Sequence, residues 1–151
     1  MLGIVVKTSK IGESDLRLVV FTAQGIKYIK AKGVLKQGAK LKHCTPLFTI
    51  GEFEVVRDIL IGGDVLNTPF DFAANYESFI KASSIADSLL RIEFCENGAA
   101  ALILAIKALN DFDLISYFGN LLEILGYGKE DKRERIINAF NQHMDYSIIS
   151  L

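Results

Sequence analysis

The sequence predicts an α+β protein, with a small five-stranded barrel over residues 1–68 and a helical domain of about four helices over residues 69–151. Two observations predict it. Apolar residues recur with a period of two through the first seventy residues, then with a period near 3.6 after Thr68-Pro69. Charge divides in the same region: residues 1–51 hold nine Lys/Arg against two Asp/Glu, whereas the remaining hundred hold eight against sixteen. The net charge of −1 therefore conceals a strongly basic segment joined to an acidic one. Such asymmetry points to an anionic partner at the basic end, usually nucleic acid. The lysines alternate with β-type apolar residues, which places them on a folded surface and not on a tail.

Each element follows from local pattern. Leu2–Thr8 is β-branched and apolar and reads as the first strand; Ser9–Asp15 is polar and turns the chain through Gly12. Leu16–Thr22 is the second strand, with Leu16, Leu18 and Val20 on one face. Ala23-Gln24-Gly25 makes a tight connection in which Gly25 takes positive φ without penalty. Ile26–Gly33 is the third strand, and its phase change after Tyr28 suggests a bulge. Val34–Thr45 is a loop rich in Lys and Gly, closed by Pro46. Leu47–Arg57 is a fourth strand in which Phe53 and Val55 alternate with Glu52 and Glu54, and Ile59–Asn67 is a fifth around Gly62-Gly63. Five short strands with glycine bends fit a closed barrel better than a sandwich.

Beyond it, Thr68 is placed to cap a helix with Pro69 at its first position. Phe72, Tyr76, Phe79, Ile80, Ala86, Leu90 and Phe94 then mark one face of a long helix, ended by Asn97-Gly98. Ala99–Leu109 is apolar almost all round, as a central bundle helix would be. Asp111 or Asp113 caps a third helix with Leu114, Phe118, Leu121, Leu122 and Leu125 inward and Gly126 as its stop. Glu130–His143 is the fourth, burying Ile136, Ile137 and Phe140, with Lys132–Arg135 a solvated face.

Half the residues are apolar and 23% charged, so the chain can bury a sizeable core. The longest apolar run, Gly98–Ala108, includes Lys107 and falls short of the roughly 20 residues a bilayer requires. The N-terminus reads as a first strand and not as a signal peptide. No membrane association is expected.

The basic set is the one constellation that rises above background. Lys27, Lys30 and Lys32 decorate a strand containing Tyr28, Arg17 lies on the strand before it, and Lys36, Lys40 and Lys42 line the flexible loop that follows. Lysines on a barrel strand and an adjoining loop can track a phosphate backbone, while an exposed aromatic can stack on a base. Six positives without a local carboxylate repel one another unless an anion compensates. Tyr28 itself is read first as a core residue, with base stacking as the alternative. Among helical residues, Lys81, Arg91 and Lys107 could pair with a partner's carboxylate beside an apolar groove; surface solvation explains them equally well.

Catalytic and metal signatures are weak. No GxGxxG, GxxxxGK[ST], GxSxG or HExxH spacing occurs. Glu13 and Asp15 are explained by a polar turn. His43, Cys44, Cys95 and His143 could form a zinc set only by spatial coincidence, since structural zinc ligands normally come in closely spaced pairs. The expectation is a non-enzymatic protein without cofactor, metal or small-molecule substrate.

Several stretches together resemble the RecO recombination mediators of bacteria. Gly3–Thr8, Gly12–Asp15, Leu18–Thr22 and Gly25 resemble that family's N-terminal domain, and Ala31-Lys32-Gly33-Val34 its AKGAR stretch. Pro46-Leu47-Phe48 is similar to its segment leading into the fourth strand, and Phe118–Tyr127 to its helix ending in leucine, glycine and tyrosine. The resemblance covers roughly residues 2–127. It implies an OB-fold barrel followed by helices, and a non-enzymatic DNA repair protein of the cytoplasm, acting at the nucleoid. It also implies single- and double-stranded DNA, the partner RecR and the C-terminal tail of single-strand-binding protein as ligands, strand annealing, and help in loading RecA. The cysteine zinc motif that many members carry after the Leu-Gly-Tyr helix is replaced here by Gly128-Lys129-Glu130-Asp131, and the chain given is shorter than typical members.

Overall fold

A computed structural model describes residues 1–68, 75–92, 96–148 and 151. Its strands are β1 (Leu2–Ile11), β2 (Asp15–Thr22), β3 (Gly25–Ala31), β4 (Ile50–Val56) and β5 (Ile59–Asn67). They close into a barrel in the order β1-β2-β3-β5-β4. All neighbours pair antiparallel except β3 and β5, which run parallel and meet at the single pair Lys30–Ile59. The helices are α1 (Tyr76–Arg91), α2 (Gly98–Asp111), α3 (Leu114–Ile124) and α4 (Arg133–Met144). The architecture is the expected OB-fold barrel followed by helices.

Strand alternation sorts the apolar residues into two cores. Val5, Leu18, Val20, Ile29, Ala31, Phe53 and Leu60 fill the barrel interior. Ile4, Val6, Val19, Phe21, Phe48 and Ile50 lie on the barrel's outer wall and share a second core with all four helices. Barrel and helices therefore bury a common surface. Contact is closest at Gly98, where an added Cβ would stand 2.2 Å from the carbonyl oxygen of Ala23 in the β2–β3 turn.

Several boundaries differ from expectation, each for a physical reason. β1 runs on to Ile11, because Ser9 and Lys10 pair with Arg17 and Leu16 as ordinary solvent-side strand residues; only Gly12–Ser14 turn. β3 carries no bulge. Its register with β2 is unbroken, and the phase change arises because Ile26 packs outward under the helices while Ile29 and Ala31 point into the barrel. The bulges fall instead at Val5/Lys7 in β1 and at Ile50/Gly51 and Glu54/Val55 in the β4–β5 pair. β4 starts at Ile50, not Leu47. Phe48 adopts φ 70° and donates its N–H to Val5 O at 2.7 Å, which breaks the extended run.

In the helical part, Thr68 does not cap α1; Asn75 does, accepting the Ser78 N–H at 3.2 Å. Pro69, Phe72, Phe94 and Cys95 lie outside the described residues. The buried face of α1 is Ala82, Ile85, Ala86 and Leu89, whereas Tyr76 is exposed and Phe79, Ile80 and Leu90 are half-buried. α2 is not buried all round: Ala101, Leu102, Ala105, Ala108 and Leu109 are inward, but Ile103 is exposed beside Ala99 and Ala100. α3 is capped by Asp113, and Gly126 follows its end with φ 89°. Its expected inward residues are buried apart from Leu125, which is half-buried. α4 begins at Arg133, three residues later than expected; Ile136 and Phe140 are buried, Ile137 is half-buried, and Lys132–Arg135 are exposed. Among the described residues no helix is long and apolar enough to cross a membrane.

Candidate nucleic-acid interface

Antiparallel register builds two cross-strand rows on the outer wall of the barrel. Lys7, Val19 and Tyr28 stand side by side in one, and Ser9, Arg17 and Lys30 in the next. Residues directly opposite on one sheet face sit about 5 Å apart at Cβ, so Arg17 and Lys30 occupy the row next to Tyr28, and Lys7 stands two strands from it across Val19. Tyr28 is 58% exposed. It is a surface residue, and the core reading of it is corrected: its side points outward beyond the rim of the helical cover. Lys27 does not join the rows. It pairs with Val20, on the inward side of the sheet, and is exposed because β3 is open on its other edge there.

The segment after β3 is a packed cap rather than a flexible loop. Val34 and Cys44 are fully buried, and with Leu41 they close one end of the barrel interior. Lys42–Cys44 forms a 3₁₀ turn against β5, where Gly63 leaves room for the Cys44 sulfur: a Cβ on that glycine would come within 3.0 Å of Sγ. Lys32, Lys36, Lys40 and Lys42 are all exposed on the outside of this cap. The apolar residues fix its path, and the lysines are what it displays.

One carboxylate stands among these cations, contrary to expectation. Asp15 Oδ2 lies 3.6 Å from Lys30 Nζ, while Oδ1 accepts the Gly33 N–H at 2.7 Å. The Gly33 hydrogen bond, aided by Lys30 and Lys32, holds the Asp15 carboxyl below the usual range. Asp15 thus ties the start of the cap to the start of β2, and Leu35 N–H donates to Ser14 O at 3.0 Å beside it.

Arg57 was not among the residues singled out in the sequence, nor was Lys7. Arg57 and Asp58 form the β4–β5 turn, with φ 51° and 63°, and present an exposed cation at the tip next to Lys30. The backbone N–H of Lys30 donates to Asp58 O at 2.8 Å. A two-residue hairpin turn between alternating strands was the available signal for Arg57. Lys7 was hidden by the β1 bulge, which sets Val6 and Lys7 together opposite Val19.

The other singled-out residues separate. His43 places Nδ1 2.9 Å from Lys40 O and Nε2 3.3 Å from the Cys44 sulfur, and burial pushes the Cys44 thiol pKa up. His143 is exposed at the end of α4 and stacks on Tyr127 with ring centroids 4.3 Å apart. Among the described residues no group of three or more His, Cys, Asp or Glu could hold a metal. Lys81, Arg91 and Lys107 do not share a site. Arg91 lies over the Tyr146 ring at 4.5 Å, and Lys107 is exposed on α2. Lys81, paired with Glu77 at 3.5 Å, lines a groove of about 260 Å³ with Phe112, Asp113, Leu114, Ile115, Arg133 and Leu151.

Residues 1–60 match the family model described as recombination protein O N terminal. No curated protein matches the chain.

Proposed function

We propose, from the match of residues 1–60 to the N-terminal domain of the recombination protein O family, that the chain has a role in recombination and DNA repair as a non-enzymatic mediator that binds DNA across the outer wall of β1–β3. The observation that carries this reading is the pair of rows formed by Lys7, Arg17, Lys30 and Tyr28, continued by the exposed lysines of the cap. Cations on a curved β-surface neutralise phosphates of single or double strands, and an exposed tyrosine ring stacks on an unpaired base. The acidic helical part repels the backbone and orients the barrel toward it. Holding strands by phosphate and stacking leaves base edges free, which is what annealing of complementary strands needs. In this reading the protein works with RecR to assist RecA loading on DNA coated by single-strand-binding protein, in the cytoplasm at the nucleoid.

A second reading, an adaptor with little DNA affinity of its own, is favoured by one feature. The groove flanked by Lys81 and Arg133 has an apolar floor at Phe112, Leu114 and Ile115. Asp113 also lines it, Lys81 is paired with Glu77 and Arg133 donates to Leu151 O, so an apolar segment carrying carboxylates, such as the acidic tail of single-strand-binding protein, has to compete for these cations.

Polarisation of a labelled single-stranded oligonucleotide at several salt concentrations separates the two. Log affinity should fall against log salt with a slope of about −0.7 per phosphate neutralised, or roughly −3 for four contacts. Alanine at Lys32, Lys36, Lys40 and Lys42 should weaken binding and flatten the slope, and alanine at Tyr28 should weaken single strands more than duplex. Unchanged binding by a folded variant lacking Lys7, Arg17, Lys30 and the four cap lysines would sink the DNA reading. Lys81→Glu losing tail binding with DNA affinity intact would place the partner contact in the groove.

A further inference from the structure

β3 leaves one edge open beside this surface. The Lys30 N–H donates to Asp58 O at 2.8 Å, so the main chain of Lys30 points away from β2. Along a strand that direction repeats every second residue, and the N–H and C=O of Tyr28 and Ile26 therefore point the same way. The tight hairpin agrees. Thr22 and Gly25 close it, which puts Val20–Lys27 and Leu18–Ile29 in the hydrogen-bonded positions and leaves Tyr28 and Ile26 facing outward along the edge. No strand covers them. β5 begins only at Ile59, so its parallel pairing with β3 is confined to Lys30–Ile59. Among the described residues, the backbone groups of Ile26 and Tyr28 find no partner on that side.

We propose that this edge receives an extended, acidic segment of a partner protein by strand addition. A polypeptide fits where a phosphate backbone does not. The edge alternates donors with acceptors at strand spacing, and a phosphodiester chain offers acceptors only. The side chains around it select the sign of charge: Lys27 is exposed on the edge itself and unpaired among the described residues, while Lys30 at its end shares its charge with Asp15 and Arg57 crowns the neighbouring turn beside Asp58. Tyr28 adds an exposed apolar surface. A second copy of this chain is disfavoured, because two β3 edges laid together would crowd Lys27 and Lys30 of each copy onto one short seam, and edge lysines are a device by which natural sheets block edge-to-edge pairing. The open stretch is short, so main-chain bonds alone give weak affinity and the carboxylates must supply the rest.

The test uses the full chain, ¹⁵N-labelled, with a blocked six-residue peptide of alternating aspartate and valine as probe. At saturating peptide, amide exchange at Ile26 and Tyr28 should slow by at least about tenfold, while amides already paired to β2 change little. N-methylation of the peptide positions that face β3 should abolish binding, and methylation of the alternate positions should not. Tyr28→Pro removes an N–H that β2 does not use and should abolish the interaction. Should that variant fail to fold, Lys27→Glu should weaken binding at least about threefold through the charge alone. Binding that leaves these two amides unprotected, indifference to the N-methylation register, or protection by an oligonucleotide but not by the peptide would each overturn the proposal.

Discussion

The carbonyl oxygen of Ala23 occupies the place where a side chain on Gly98 would begin, 2.2 Å from an ideal Cβ. This contact joins the β2–β3 turn to the first turn of α2 with backbone against backbone. Neither partner can swing aside as a flexible side chain could. Gly98→Ala should therefore destabilise the protein by about 1–3 kcal/mol, the usual cost of overpacking, even though alanine favours a helix. Urea unfolding checks it, with Ala99→Gly at the exposed neighbour as control. That control should cost about 0.5–1 kcal/mol from helix propensity alone.

The shared core makes a second expectation. Residues 1–70 expressed alone would leave Ile4, Val6, Val19, Phe21, Phe48 and Ile50 without their helical cover. An exposed apolar area of that kind drives association. The truncated chain should bind a hydrophobic dye and elute as aggregate, where the whole chain does neither. A monomeric, dye-silent barrel would show that the outer-wall core contributes little.

Asp15 governs how many cations face outward at the interface. Its carboxyl is held below the usual range by Gly33 and Lys30, so the folded state favours its charged form. The resulting stability is present above the unfolded carboxylate value, about 3.9, and is lost as pH falls through the lower folded value. At neutral pH the tether is intact. Asp15→Asn keeps an acceptor for the Gly33 N–H but frees Lys30, and should raise single-strand affinity about two- to fivefold at low salt, the scale of one exposed charge pair. Polarisation at low and high salt measures it. The gain should vanish at high salt.

How much of this was legible depended on whether a signal was local. β2 and β5 were readable because alternation and turn residues are encoded within each run. The exposure of Tyr28 was not. Ile26 and Ile29 look alike in sequence, and only the helices packed over Ile26 explain why both are sheltered on opposite sides of one strand. The same holds for α1, whose start depends on Asn75 capping Ser78, and not on the equally plausible Thr68-Pro69 signal. The candidate site was legible as a set of charges and illegible as a geometry. The lysines of the cap were found by counting. Lys7 needed the bulge, Arg57 the turn, and Asp15–Lys30 a contact between two strands.

The β4–β5 turn carries avoidable strain. Arg57 and Asp58 both adopt positive φ, the pattern of a two-residue type I′ turn that normally holds Asn-Gly. The left-handed region costs a non-glycine residue about 1–2 kcal/mol. Asp58→Gly keeps the backbone carbonyl that accepts from Lys30 and should stabilise the protein by about 1 kcal/mol, partly offset by the freer unfolded chain. Thermal unfolding checks the sign. A fall in midpoint would mean that the aspartate side chain contributes something its backbone does not.

Ser88 and Tyr117 form a buried polar pair between α1 and α3 whose two halves are not equivalent. Ser88 Oγ donates to Ile85 O at 2.6 Å, which uses its one hydrogen, so the Tyr117 hydroxyl at 2.7 Å is the donor to Ser88. Tyr117 is fully buried, edge-on to Phe118, and burial drives its pKa upward. Its phenol should stay protonated at any alkaline pH the fold survives. Tyr117→Phe removes one donor and leaves Ser88 still bonded to Ile85, so it should cost only about 0.5–1.5 kcal/mol. Ser88→Ala strands the Tyr117 hydroxyl in apolar surroundings and should cost about 1–3 kcal/mol. The double variant has no stranded group left, and its loss should be smaller than the two single losses added together. Denaturant unfolding of all four proteins closes the cycle. Strict additivity would mean that the hydroxyl reaches water or another acceptor once Ser88 is gone.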